Sequence, residues 1–178
     1  MENKVEIIYE DSDVLVVNKP VGLMVHGDGR SDEPTLVSFL LDKYPDIKSV
    51  GDDEKRPGIV HRIDKETSGI LIVAKKQDAF EFLKKQFQER EVKKEYRAFV
   101  YGEMKLDSDT IDRPIGKSKS DFRLWSAQRG ARGEMREAIT EYEVLGRAGG
   151  FSYVAVSPRT GRTHQIRVHM RYTGHSVV

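Results

Sequence analysis

The apolar positions of this chain change period several times, and each change predicts an element. The run DVLVVNKP (13–20) is β-branched and closed by Pro20 and Gly22, which predicts a strand followed by a turn. TLVSFLLDKY (35–44) predicts a short helix with Thr35 as its cap and Pro45 as its stop, followed by a charged loop over 51–57. GIV before His61 and GILIVAKK after Ser68 are both strand-like, so 61–68 is predicted to be a junction between strands. Loops held by rigid strands are common seats of chemistry. The clearest helix is DAFEFLKKQFQER (78–90), where Phe80, Leu83 and Phe87 share a stripe and Asp78 with Glu81 has the spacing of a capping box. Its basic residues are expected to face solvent. Aromatic and β-branched residues predict strands at 95–102, 138–146 and 151–158, the last two joined as a hairpin through a Gly-containing turn at 147–150.

Strands outnumber helices and the loops between neighbouring strands are mostly short. This favours an α+β domain with a mixed, largely antiparallel sheet flanked by helices over a Rossmann-like parallel sheet. Without internal repeats, low-complexity tracts or proline-rich linkers, residues 1–178 are expected to form one continuous domain.

Composition narrows the class. With 178 residues, 38% hydrophobic and 33% charged, the sequence is that of a globular protein. No stretch approaches the roughly 20 apolar residues of a membrane span. The absence of cysteine removes disulfides and thiolate metal sites, and the N-terminus shows no secretory pattern, so a cytoplasmic setting is expected. The net charge of +1 conceals an asymmetry: residues 1–54 hold 5 Lys/Arg against 13 Asp/Glu, and the remainder 25 against 16. From Arg113 to Arg136 there are seven basic residues and two acids, and from Arg159 to Arg171 four arginines and no acid. Such clustering suits a protein that meets phosphates, a solvated basic surface being the plainer alternative.

Three segments combine polar groups with apolar flanks: HRIDKETSG (61–69), KKEYRAFVYG (93–102) and PRTGRTHQIRVHMR (158–171). Singly, each has a bland explanation: an Asp that forms a turn, a Tyr that packs in a strand, an arginine-rich helix face in solvent. Other chemistries fit poorly. His164 and His169 lack the H-E-x-x-H order of a zinc protease, and no metal site is expected. P-loop, dinucleotide and nucleophile-elbow patterns are absent. A glycosidase would place two carboxylates about 5–10 Å apart. Glu66 is near Asp64 in sequence, but neighbouring strand or turn positions rarely converge on one substrate atom, which favours a mechanism with a single acid. A carboxylate beside arginines stays ionised at neutral pH and can serve as nucleophile or base.

RPGIVHRIDKETSGILIVAKK (56–76) closely resembles the catalytic motif of the RluA family of pseudouridine synthases, in which an H-R-[LI]-D-x-x-T-S-G segment presents the essential aspartate. KKEYRAFVYG resembles the family's tyrosine motif and TGRTHQIRVHM its arginine motif, in the family's order, and VLVVNKPVGLMVH resembles its opening strand and turn. The resemblance implies that Asp64 is the catalytic aspartate, Tyr96 the tyrosine that packs on the target base, and Arg167 the arginine that pairs with the aspartate. It also implies an isomerase without cofactor, acting on uridines in structured ribosomal or transfer RNA as a monomer. Asp64 could attack the base, attack the anomeric carbon, or remove a sugar proton to give a glycal.

Arg62 could fill the space left by a flipped nucleotide or bind its phosphate. Arg162, Thr163 and His164 precede an expected helix whose N-terminal amides suit another phosphate. If HQIRVHMR is helical, Arg167 and Arg171 share a face. After HMRYTGH the chain reads SVV, where family members continue as H-P-[IL]-x-G-D, so a shortened member or a fragment is expected. The basic segment 117–138, which holds the only tryptophan, Trp125, is a candidate RNA-contacting excursion or a solvated or disordered loop. Two rival functions remain: an RNA-binding or chaperone module without turnover, and a glycosylase that releases the base.

Overall fold

The computed structural model describes residues 4–27, 29, 33–119, 124–127 and 131–178. The chain divides into two compact units, Met1–Glu91 and Val92–Val178. The α+β class holds. Every ladder among the described strands is antiparallel, and the parallel element is an isolated bridge between Met24 and Thr35.

In the first unit, β1 (Glu6–Glu10), β2 (Val14–Lys19) and β3 (Gly69–Ala74) form a sheet in the order β1-β2-β3. Strand β2 alternates as its sequence demands, with Leu15, Val17 and, unexpectedly, Lys19 buried on one face. Helix α1 (Leu36–Lys43) starts at the predicted cap: Thr35 Oγ1 accepts the Ser38 N–H, and Ser38 Oγ accepts the Thr35 N–H. Two further amides of its first turn, from Leu36 and Val37, donate to the carbonyls of Met24 and Val25, so the loop after β2 is fastened to the helix. Pro45 ends α1 and opens a 3-10 turn, Pro45–Ser49.

Helix α2 (Gln77–Gln88) buries Phe80 and Leu83, but it begins one residue before the predicted start. Lys76 occupies the cap without a side-chain hydrogen bond, so no Asp78–Glu81 capping box forms. Asp78 lies inside the first turn, where its charge complements the helix N-terminus. The predicted strand before His61 reduces to one bridge, Ile59 with Val73. Gly58 explains part of this: it takes φ 70°, and a Cβ there would stand 2.5 Å from the Ala74 carbonyl oxygen.

The second unit contains β4 (Tyr96–Tyr101), β5 (Ser108–Asp112), β6 (Ile115–Lys117), β7 (Trp125–Ser126), β8 (Arg132–Arg136), β9 (Ile139–Ala148), β10 (Phe151–Pro158) and helix α3 (Gln165–Tyr172). One sheet has the order β4-β10-β9-β5, with β9 and β10 forming the predicted hairpin. Val100, Met104, Ile111, Tyr142, Val154, Val156 and Met170 make its core, which places α3 against the sheet. The basic segment 117–138 contributes strands to a second sheet, β7-β6-β8, and so is not simply a loop over its described residues. Residues 120–123 and 128–130 of that segment lie outside the described ones. Ile115, Ala127 and Ala138 form a small core here, with Trp125 and Val168 of α3 packed against it.

Candidate active site

Residues 61–68 leave the first sheet after the Ile59–Val73 bridge and rejoin it at β3. Asp64 heads a turn closed by the Thr67 N–H on the Asp64 carbonyl at 3.1 Å. Ile63 beside it is buried and anchors the loop, while Asp64 itself is half-buried. Gly69, at φ 137°, turns the chain into β3 through a conformation that side chains rarely adopt.

A lysine holds this loop. Lys19 is fully buried at the end of β2, and its Nζ donates to the carbonyls of Pro20 at 2.8 Å, Leu23 at 2.7 Å and Lys65 at 3.2 Å. The Lys65 carbonyl also accepts the Gly22 N–H at 2.9 Å. Burial pushes the Lys19 ammonium below the ordinary lysine range, and the carboxylates of Glu66 and Asp64 act in the opposite direction. A buried cation thus stands in the field of Asp64 within the first unit. The two basic residues beside Asp64 in sequence have other engagements. Arg62 Nη1 donates to His26 Nε2 at 3.0 Å, and Lys65 Nζ pairs with Glu33 at 2.8 Å. Because a guanidinium only donates, His26 Nε2 is the acceptor, which leaves His26 Nδ1 to donate to the Gly27 carbonyl at 3.1 Å.

The other predicted residues fall in the second unit. Tyr96 opens β4 opposite Val156, half-buried against the core cluster. Arg162, Thr163 and His164 lie directly before α3, which carries Arg167, half-buried, and Arg171, exposed one turn later. His164 caps α3 in the left-handed region, φ 53° and ψ 24°, uncommon for a residue with a side chain. A buried polar relay fixes this segment. Gln165 Oε1 accepts the Thr160 hydroxyl at 2.7 Å and the Arg162 N–H at 3.0 Å. Its Nε2 donates to the Ile139 carbonyl and to Thr140 Oγ1. One turn of α3 beyond Gln165, His169 Nδ1 meets the same Thr140 hydroxyl at 2.8 Å, and His169 Nε2 bonds the Arg113 carbonyl at 2.9 Å. The Arg162 side chain reaches the Glu137 carbonyl through Nε, and Lys94 Nζ donates to the Thr160 carbonyl.

The sequence pattern of the family described as RNA pseudouridylate synthase matches residues 13–172, nearly the whole chain. The chain belongs to that family. An uncharacterized RNA pseudouridine synthase of Aquifex aeolicus is 46% identical over 177 residues, covering 98% of this chain and 54% of that protein. The ribosomal large subunit pseudouridine synthase D of Borreliella burgdorferi is 43% identical over 169 residues, covering 94% of this chain and 51% of that protein. The solved structure of human RNA Pseudouridylate Synthase Domain Containing 1 superposes with a TM-score of 0.81 at 30% identity, over 99% of this chain and 68% of that one. These matches bear out the RluA-type resemblance and the α+β fold expected from it. The chain spans about half the length of the curated relatives it matches.

Several residues that hold these candidate segments in place escaped the sequence motifs. Lys19 had a signal: it continues the inward set of Leu15 and Val17, where a cation is out of place unless paired. Thr140 had none, because it lies 25 residues from Gln165 and 29 from His169, and only the fold joins them.

Proposed function

We propose that this chain is a catalytic module that converts uridine to pseudouridine in RNA, with Asp64 as its reactive carboxylate. The observation that carries this proposal is the placement of Asp64 at the head of a turn leaving the sheet, braced through its neighbour's carbonyl by Lys19 and Gly22. In the reaction the bond from uracil N1 to the ribose anomeric carbon breaks, the base turns, and a bond from C5 to the same carbon forms. C5 loses its proton and N1 gains one, so substrate and product are isomers and no redox equivalent or group donor is consumed. Asp64 acts as the nucleophile or as the base.

The target base must leave its stack, at a cost of a few kcal/mol. Stacking on Tyr96 offsets this by roughly 1–3 kcal/mol. Arg167 supplies the counter-charge to Asp64, while Arg62, Arg162, Thr163 and His164 contact the RNA backbone. Ribosomal RNA is the favoured substrate, since relatives such as the Borreliella protein are named for the large ribosomal subunit; transfer RNA is the second choice. A cytoplasmic, monomeric enzyme fits that substrate.

The test uses RNA transcribed with 5-tritiated uridine. Isomerisation releases tritium to water and leaves the base attached, and Asp64→Asn abolishes the release. Free tritiated uracil would identify a glycosylase, and RNA binding without either product would leave a binding module.

A further inference from the structure

We infer that His61 is a positioning residue for Asp64, standing in for a missing strand rung so that the loop can rise from the sheet. This rests on the assignment of Asp64 proposed above. Strand β3 pairs fully with β2 on one edge, but on the other, among the described residues, its backbone meets the Ile59–Val73 bridge and the Gly58 carbonyl, which accepts the Ala74 N–H at 2.9 Å. Continued by one rung, that antiparallel ladder would give the Ile72 N–H to the Val60 carbonyl. The Ile72 N–H donates instead to Nε2 of His61, at 3.1 Å.

A side chain has replaced a backbone acceptor. The strand amide is therefore satisfied while the main chain at 61 is no longer bound to the ladder, and the loop departs three residues before Asp64. The imidazole is held in place by stacking on Phe87 of α2, with centroids 4.5 Å apart and planes inclined by 18°. Acceptance at Nε2 requires a neutral ring carrying its proton on Nδ1. This hydrogen bond and this ring contact thus tie the take-off point of the proposed catalytic loop to β3 and α2. A displacement of about 1 Å at a reacting group is enough to cost a hundredfold in rate.

The two contacts separate by substitution. His61→Phe keeps a ring for Phe87 and loses the acceptor; His61→Gln keeps an acceptor oxygen for the Ile72 N–H. The expected result is that His61→Phe lowers kcat by about tenfold or more with KM within about twofold, because binding groups are untouched. Its Ile72 amide should exchange with solvent about tenfold faster. His61→Gln should restore both properties to within about threefold of wild type. Asp64→Asn is measured alongside. If Asp64→Asn is inactive yet His61→Phe turns over like wild type, or if Ile72 exchange is unchanged, the inference about His61 fails alone. Equal product from wild type and Asp64→Asn, zero included, overturns the assignment of Asp64 and this inference with it.

Discussion

Lys19 and Tyr96 show how much of the proposed function rests on single residues. Lys19→Met keeps the buried volume but leaves the carbonyls of Pro20, Leu23 and Lys65 without their shared donor. An orphaned buried acceptor costs about 1–3 kcal/mol, part of which is offset because a charge no longer has to be desolvated. The expected net loss is about 1–3 kcal/mol in urea titration, together with a fall in kcat larger than any rise in KM. Tyr96 separates stacking from hydroxyl chemistry. If stacking supplies its roughly 1–3 kcal/mol, Tyr96→Phe should keep RNA affinity and Tyr96→Ala should lose about 5- to 150-fold in a filter-binding measurement. Equal loss in both variants would assign the role to the phenol oxygen.

Helix α3 carries Arg167, the arginine of the proposed mechanism, and its anchor titrates. His169 is fully buried between Thr140 and the Arg113 carbonyl, and burial pushes its pKa below the ordinary histidine value. In the unfolded chain the same ring takes up a proton as pH falls past about 6.5, while in the fold it does so only at lower pH. Stability from this group is therefore complete at higher pH, declines as pH drops below that point, and levels off once the lowered folded pKa is passed. The urea midpoint should fall between pH 7.5 and 5.5 by more in wild type than in His169→Gln, which carries no titrating ring.

The elements themselves were unevenly legible. Strand β2 and helix α1 follow from alternation and a cap, which are local. Strands β1 and β5 were missed because most of their residues face solvent, so neither EIIYE nor SDTID carries an alternating apolar signal. The run GIV was overread: it has strand composition, but the side chain of His61 takes the amide that a longer strand would have used. The segments that hold Asp64, Tyr96 and Arg167 stand out in the sequence because long motifs carry them. The Thr140–Gln165–His169 relay was not legible, since its partners are brought together only by the fold, and Lys19 shows in the sequence only as a cation in the inward set of β2, its bond to the Lys65 carbonyl spanning 46 residues.

At the scale of the whole molecule, charge is the dominant pattern. The chain is nearly neutral, yet residues 1–54 carry 13 of its 29 acids and only 5 of its 30 basic groups. Affinity for RNA should come from the basic remainder and weaken with salt. The exposed Arg171, one helical turn beyond Arg167, gives a sharp test: Arg171→Gln should weaken binding to all RNA sequences alike and reduce the slope of log K against log[salt] by about 0.7–0.9. An unchanged slope would remove Arg171 from the phosphate contacts.

The central claim, an Asp64-dependent conversion of uridine in RNA, is tested most directly in cells that lack their own pseudouridine synthases. The chain is expressed there as wild type and as Asp64→Ala, and pseudouridines are mapped by chemical sequencing of total RNA. At least one discrete modified uridine, in ribosomal RNA, is expected with wild type and absent with Asp64→Ala. A map in which wild type adds no site that the variant lacks would contradict it.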